Sequence, residues 1–279
     1  MDALPDAAYV YMVRCTGGQL YTGWTNHPAA RLKAHQSGKG ARYTRAHGAV
    51  GFAYLERCAD KRAALRREAA LKKLTKAQKE ALCAEWAEKN LPRLSLATRA
   101  DAAEILDIYN WYVLHHTATF QVTPSSLPEY EDWVDSTRAL IPLLLARDGD
   151  GKLLGYACAH RYHPREAYDW AVESTIYCAP DARGFGVGDT LYRALLDILD
   201  GMGYWNVYAL VADPNPASER IHARLGFTCV GREPHTAYKF GWLGLSTWWL
   251  PLRRGNEKPE PTHPLTQEQV EEILGRYQA

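Results

Sequence analysis

The sequence predicts an α/β protein in two parts, a small mixed α/β module followed by a larger α/β domain built on a mixed sheet. Three observations carry this. At 279 residues the chain exceeds one average domain. Its charge is divided: residues 1–90 hold 16 Lys and Arg against 8 Asp and Glu, a net of +8, and the rest hold 17 against 24, a net of −7. Such a split suggests that the front part meets a polyanion and the rear part does not. The apolar patterning also restarts: strands and then helices up to about residue 90, then strands that alternate with helices. The expected boundaries are 1–90, 94–252 and a polar tail, 253–279, that ends in a short surface helix over 266–277.

In the front part, Tyr9 to Val13 and Gln19 to Gly23 are short apolar runs joined by Thr16-Gly17-Gly18, a hairpin signal. A helix should follow, with Asn26 as cap and Pro28 in its first turn. Val50 to Leu55 reads as a third strand. Residues 60–73 and 75–89, rich in Ala, Leu, Lys and Glu, read as helices that end before Pro92. Arg31 and His35, four apart, share a helix face. Glu68 lies on a stripe with Ala64, Leu65 and Leu71, where a carboxylate is costly unless it is paired or binds a cation. A tyrosine pair (Tyr11, Tyr21), an arginine, a histidine and a carboxylate are the set that metal-assisted phosphodiester hydrolysis needs. Singly, each has a plainer reading: strand packing for the tyrosines, a salt bridge for Glu68.

These residues carry a resemblance to the GIY-YIG endonuclease family, in its small UvrC-like branch. Tyr9-Val10-Tyr11 stands for the first element and Tyr21-Thr22-Gly23 for the second. The helix segment with Thr25, Asn26, Arg31 and His35, the loop Ser37 to Thr44, and Arg66-Arg67-Glu68 with Leu71 to Leu74 complete the match over about residues 8–84. The resemblance implies Glu68 on Mg²⁺ or Mn²⁺, Arg31 on the phosphate, and Tyr11 as base, helped by His35 and Tyr21. Lys33, Lys39, Arg42 and Arg45 would then contact the phosphates of DNA or another nucleic acid, largely independently of sequence. Two positions depart from the pattern: Tyr9 replaces glycine, and Trp24 stands where a smaller aliphatic residue is usual.

In the rear part, residues 100–116 have helical spacing. Ile141 to Arg147 and Lys152 to His160 are strands joined by Asp148-Gly149-Asp150-Gly151, and Ala171 to Cys178 is a third. A helix over 188–199 places Leu191, Leu195, Ile198 and Leu199 on one face. A strand over 207–211, a helix over 216–225 and two strands within 236–252 follow. Between strand and helix lies Arg183-Gly184-Phe185-Gly186-Val187-Gly188. Glycines there let the backbone approach a pyrophosphate at a helix N-terminus. The spacing fits neither a Walker loop nor a dinucleotide fingerprint.

That loop and the later run Asn215-Pro216-Ala217-Ser218 with His222, Gly226 and Phe227 resemble the GNAT acetyltransferases. Ile108-Tyr109-Asn110, Thr117 to Phe120 and Glu173 to Tyr177 narrow the resemblance to the phosphinothricin acetyltransferase-like branch, over about residues 94–252. It implies acetyl-CoA as donor. The backbone of Ile176, Tyr177 and Cys178 would meet its pantetheine arm, residues 183–188 its pyrophosphate, and Asn215 and Ser218 would hydrogen-bond to it. Glu173 would deprotonate the acceptor amine through water, and His222 would protonate the thiolate. The branch usually carries Lys-x-Gly-x-Trp and then an Asp. Here Lys239-Phe240-Gly241-Trp242 displaces the tryptophan by one and the Asp is missing, so the identity of the small-molecule amine or amino-acid-like acceptor does not carry over.

The expected whole is an N-acetyltransferase fused to a nuclease-like module. The alternative is an acetyltransferase directed to a macromolecule by a module that binds nucleic acid without cutting it. No apolar run approaches a membrane span, and the N-terminus lacks a basic region followed by an apolar core. The six cysteines form no C-x-x-C pair, which argues against a zinc site and suits a reducing cytoplasm. The oligomeric state stays open, a homodimer included.

Overall fold

A computed structural model describes residues 8–182 and 186–277. The chain divides into two compact units, one ending at Leu91 and the other starting at Pro92.

In the first unit β1 (Ala8–Cys15) is the central strand. It pairs antiparallel with β2 (Leu20–Thr25) and β3 (Ala49–Cys58), in the order β2-β1-β3. Strand alternation decides what each face carries. Val10 and Met12 pack with Tyr54, Leu71 and Cys83 on one side, and Tyr11 and Val13 with Leu55 on the other. The helices are α1 (Pro28–Gln36), α2 (Arg42–His47), α3 (Lys61–Lys73) and α4 (Lys76–Asn90). Asp60 caps α3 by accepting the Ala63 N–H, and Thr75 with Gln78 forms a capping box on α4. Arg14 of β1 makes a two-point ion pair with Glu80 of α4, at 2.7 and 2.8 Å. Three expectations change. His27, not Asn26, holds the cap position of α1, without a side-chain bond. The segment read as a loop contains α2. Leu65 is exposed, so the buried stripe of α3 rests on Ala64 and Leu71.

The second unit holds β4 (Arg93–Leu96), α5 (Ala102–His115), α6 (Leu127–Arg138), β5 (Leu144–Arg147), β6 (Leu153–Arg161), β7 (Ala171–Cys178), α7 (Val187–Gly201), β8 (Asn206–Asp213), α8 (Pro216–Arg224), β9 (Thr228–Tyr238), β10 (Trp242–Pro251) and α9 (Gln267–Gly275). Its seven strands run β4-β5-β6-β7-β8-β10-β9. Every neighbouring pair is antiparallel except β7 and β8. The predicted apolar face of α7 is fully buried, with Leu191, Leu195, Ile198 and Leu199 all in the core. Strand β4 and helix α6 were not anticipated: four residues are too few to show a period, and α6 is mostly polar. The tail differs from a tether with a surface helix, because α9 buries Val270, Ile273 and Leu274 in the same core. Among the described residues no helix is long and apolar enough to cross a membrane.

Candidate functional site

The first unit brings its predicted residues together around one phenol. Tyr11, on β1, is wholly buried. Its hydroxyl lies 2.8 Å from His35 Nε2 and accepts a hydrogen bond from Arg31 Nε at 3.0 Å. One turn of α1 separates Arg31 from His35, so both reach the same atom. Tyr21 lies alongside, its ring 6.4 Å from that of Tyr11 and 5.1 Å from His35. Burial raises the Tyr11 pKa, the Arg31 guanidinium opposes the rise, and Tyr21 and Glu68 add to it. Burial, helped by Arg31, pushes His35 down to about 4, so its ring is neutral at pH 7.

Glu68, half-buried on α3, pairs with Lys72 at 2.6 Å, the i,i+4 salt bridge that was its plainer reading. Among the described residues no group of three His, Cys, Asp or Glu side chains is placed to hold a metal. A lone carboxylate still suits Mg²⁺, which keeps several waters and takes one or two carboxylates plus substrate phosphates. Lys33, Lys39, Arg42 and Arg45 are exposed. Trp24 and Arg31 line an open cleft of about 540 Å³ with Thr25, Asn26 and His27.

Three residues of the quoted motifs, to which the sequence assigned no role, make room for this cluster. Gly23 faces Tyr11 across the β1–β2 register, and a Cβ there would lie 2.5 Å from the phenol oxygen. A Cβ on Gly40 would lie 2.4 Å from His35 Nδ1. Thr44, buried on α2, sits 2.6 Å from the same nitrogen. The Gly23–Tyr11 pairing follows from the hairpin register; the other two contacts had no signal.

The second unit is organised by a gap. Strands β7 and β8 pair only from Ala171 to Glu173, opposite Asn206 to Tyr208, although both run on for five more residues. Beyond Glu173 the β8-side edge of β7 has no strand partner among the described residues. Glu173 stands where the strands part. It is half-buried, burial raises its pKa, and its carboxylate has no hydrogen bond or ion pair among the described residues. Opposite it on β6 is His160, and Tyr208, its partner on β8, stacks on Tyr162 at 4.2 Å. The side chain of Tyr177 packs among Tyr109, Tyr112 and Tyr156, and the Tyr112 hydroxyl donates to the Cys178 carbonyl at 2.8 Å. What Tyr177 offers a ligand is therefore main chain. The side chain of Ile176 points towards α7 instead, close to Gly188.

Arg183, Gly184 and Phe185 lie outside the described residues. Gly186 caps α7 with φ of 83°, a left-handed conformation that favours glycine. Val187 is buried in the core, so only its backbone could serve a ligand. A side chain on Gly188 would crowd Cys178 Sγ and Ile221 Cδ1, each at 3.4 Å. Asn215 Oδ1 accepts the Ser218 N–H at the start of α8. His222 is buried, with Nε2 at 3.0 Å from the Tyr192 hydroxyl and Nδ1 at 2.8 Å from the Ser218 carbonyl. A bond to a carbonyl requires the proton on Nδ1, and burial lowers the His222 pKa. Both ring nitrogens are thus engaged inside the protein. Tyr192 was not anticipated; it also meets Ser174 at 2.6 Å. Lys239, which opens the displaced motif, is buried with its ammonium donating to the carbonyls of Tyr112 and Thr119.

Comparison with known proteins agrees with this division. The GIY-YIG catalytic domain matches residues 7–81, and the acetyltransferase (GNAT) family matches residues 105–227. A phosphinothricin N-acetyltransferase of Streptomyces viridochromogenes is 35% identical over 170 residues, which cover 61% of this chain and 90% of that protein. An L-methionine sulfoximine/L-methionine sulfone acetyltransferase of Pseudomonas aeruginosa is 37% identical over 155 residues, 55% of this chain and 90% of that one. The structure of a phosphinothricin acetyltransferase from Sinorhizobium meliloti in complex with acetyl-CoA superposes with a TM-score of 0.59 at 33% identity, covering 61% of this chain and 93% of that one. A parted strand pair, a glycine-capped helix after it and relatives of this similarity lead to one assignment: the chain belongs to the GNAT acetyltransferase family, in its phosphinothricin acetyltransferase-like branch, and carries a GIY-YIG domain ahead of that unit.

Proposed function

We propose that the second unit transfers an acetyl group from acetyl-CoA to the amine of a small, amino-acid-like acceptor, and that the first unit is a metal-dependent nuclease. The observation that carries the first reading is Glu173, an unpaired carboxylate of raised pKa at the point where β7 and β8 separate. A base poised nearer neutrality accepts the proton of an ammonium, through water, and still gives it up to solvent. The open edge of β7 suits a pantetheine arm, and the N-terminus of α7 suits a pyrophosphate. Asp189, in the first turn of α7, is held by Arg193 and Arg224, whose guanidiniums outweigh its burial and keep its pKa low. That pairing limits how far its charge opposes a bound phosphate. His222 serves to position α8 in this reading, and the thiolate takes its proton from water.

The nuclease reading rests on Tyr11, bonded to a neutral histidine and an arginine. Arg31 lines the cleft, where its charge favours a phosphodiester. Glu68 would hold Mg²⁺ or Mn²⁺, which would supply charge neutralisation at the phosphate. One observation favours a module that binds without cutting: Tyr11 has no exposed surface, so its surroundings must open before water can reach the phenol.

Thiol release from acetyl-CoA with a panel of amino acids and amines tests the transferase, and absence of acetyl-CoA binding by calorimetry would sink it. Cleavage of labelled DNA and RNA with Mg²⁺ or Mn²⁺ tests the nuclease. The Glu68→Ala variant should lose cleavage and keep binding; a wild-type chain that binds and never cuts supports the second reading.

A further inference from the structure

His35 carries more hydrogen bonds than a base helper needs, and they are not equivalent. On one side its Nε2 faces the Tyr11 hydroxyl at 2.8 Å. On the other, Nδ1 has two neighbours that ask opposite things of it. The Thr44 hydroxyl lies at 2.6 Å, and with its own proton given to the Ala41 carbonyl at 3.0 Å it accepts from Nδ1. The Ala41 backbone N–H lies at 3.4 Å and can only donate. The Tyr11 hydroxyl decides between them: it already receives the Arg31 Nε–H at 3.0 Å, so its own proton needs an acceptor, and among the described residues His35 Nε2 is the one bonded to it. Nδ1 therefore holds the proton and Nε2 presents a lone pair. Gly40 completes the arrangement, since any side chain there would displace the ring from Thr44.

We propose that Thr44 is the positioning residue of the first unit, fixing the His35 tautomer so that Tyr11 points its proton inward and its free lone pair towards the attacking water. The chain of donors then runs one way. Tyr11 donates to Nε2, Nδ1–H donates to Thr44, and Thr44 donates to Ala41, while Arg31 donates to Tyr11 from the cleft side. When water reaches the phenol oxygen it gives that oxygen a proton while the phenol's own proton passes to Nε2. The hydroxide so formed bonds to phosphorus, and the P–O bond breaks with its electron pair going to the leaving nucleoside oxygen, which takes a proton from solvent. The relay leaves an imidazolium, and a phosphate beside Arg31 supplies the negative charge that favours it. The other tautomer would reverse the chain: Nε2–H would donate to Tyr11, whose proton would then face the water it is meant to accept from. The catalytic consequence rests on the nuclease reading; the tautomer does not.

The test uses the full-length chain with Thr44→Val, nearly isosteric but without an acceptor, and Thr44→Ser, which restores one. Long-range ¹H–¹⁵N correlation spectra report which ring nitrogen of His35 is protonated. Wild type and Thr44→Ser should show the proton on Nδ1. Thr44→Val should move it to Nε2, with the Ala41 N–H becoming the partner of Nδ1. Cleavage should fall about 100-fold in Thr44→Val, at the lower end of what a misplaced acid–base group costs, and stay within about threefold in Thr44→Ser. A wild-type proton on Nε2, or an unchanged tautomer in a folded Thr44→Val chain, overturns the proposal. A wild type that cuts nothing defeats the nuclease reading alone, because the tautomer shift is measured without turnover.

Discussion

Each unit buries one histidine against one tyrosine, and the two pairs are built almost alike. In the first, Tyr11 meets His35 Nε2 at 2.8 Å and Nδ1 meets the Thr44 hydroxyl. In the second, Tyr192 meets His222 Nε2 at 3.0 Å and Nδ1 meets the Ser218 carbonyl. Both histidines are lowered in pKa by burial and are neutral at pH 7. The difference lies in the tyrosine's other neighbour. Tyr11 is bonded to Arg31, a permanent charge that lines a cleft. Tyr192 is bonded to Ser174, which bonds in turn to the Tyr208 carbonyl, a neutral network closed within the core. A hydrogen-bonded His–Tyr pair is thus no signature of catalysis. On the nuclease reading, what sets the first pair apart is the Arg31 charge beside it.

Matched substitutions break or sharpen that comparison. Tyr11→Phe should lower cleavage by about 1000-fold, within the range for loss of an acid–base group, measured on a labelled oligonucleotide with Mg²⁺. Tyr192→Phe should leave acetyl transfer within about threefold of wild type and cost on the order of 1–3 kcal/mol of stability, because it strands His222 Nε2 in the core. A large loss of transfer with unchanged stability would place the second pair in the chemistry after all. Glu173→Gln should lower kcat by about 100-fold with acetyl-CoA binding unchanged in calorimetry. In wild type the rate should fall with falling pH through a pKa above the ordinary carboxylate value, since the ionised form is the base and burial raises that pKa.

The histidine of the first unit also predicts a pH effect on folding. Its folded pKa of about 4 lies below the ordinary 6.5, so between those values the unfolded chain binds the extra proton. Stability present above pH 6.5 should decline as pH falls towards 4, by on the order of 3 kcal/mol. Hydrogen-exchange protection of β1 amides would read this, and His35→Gln should flatten it. The smallest effect expected is for Gly23→Ala, about 1–3 kcal/mol for overpacking against Tyr11, seen as a lower urea midpoint of the first unit. A neutral result would mean that the phenol can move aside.

Much of this was readable along the chain. Periodicity located most of the strands and long helices, because alternation and a 3.6-residue repeat are local properties. Spaced motifs pointed to both families, since a glycine before a helix or an arginine one turn from a histidine acts within a few residues. The elements that escaped were the four-residue β4, the polar α6 and the six-residue α2, each too short or too polar to show a period. The C-terminal helix read as surface because its apolar partners lie some 70 residues earlier, on α7, where Tyr277 also reaches Asp197 at 2.7 Å.

The sequence by itself determined the two α/β units, their family resemblances and the residue types available for each chemistry. Tertiary structure alone decided which of those residues touch. The resemblance singled out Glu173, but only the fold shows β7 and β8 parting beside it. Arg31 and His35 share a helix face in the sequence, yet only the fold shows that both reach Tyr11 and that His222 meets a tyrosine held by Ser174. The physical reason is the same in both cases: burial, charge and the direction of a hydrogen bond belong to neighbours brought together by the fold, and one chain position carries no record of them.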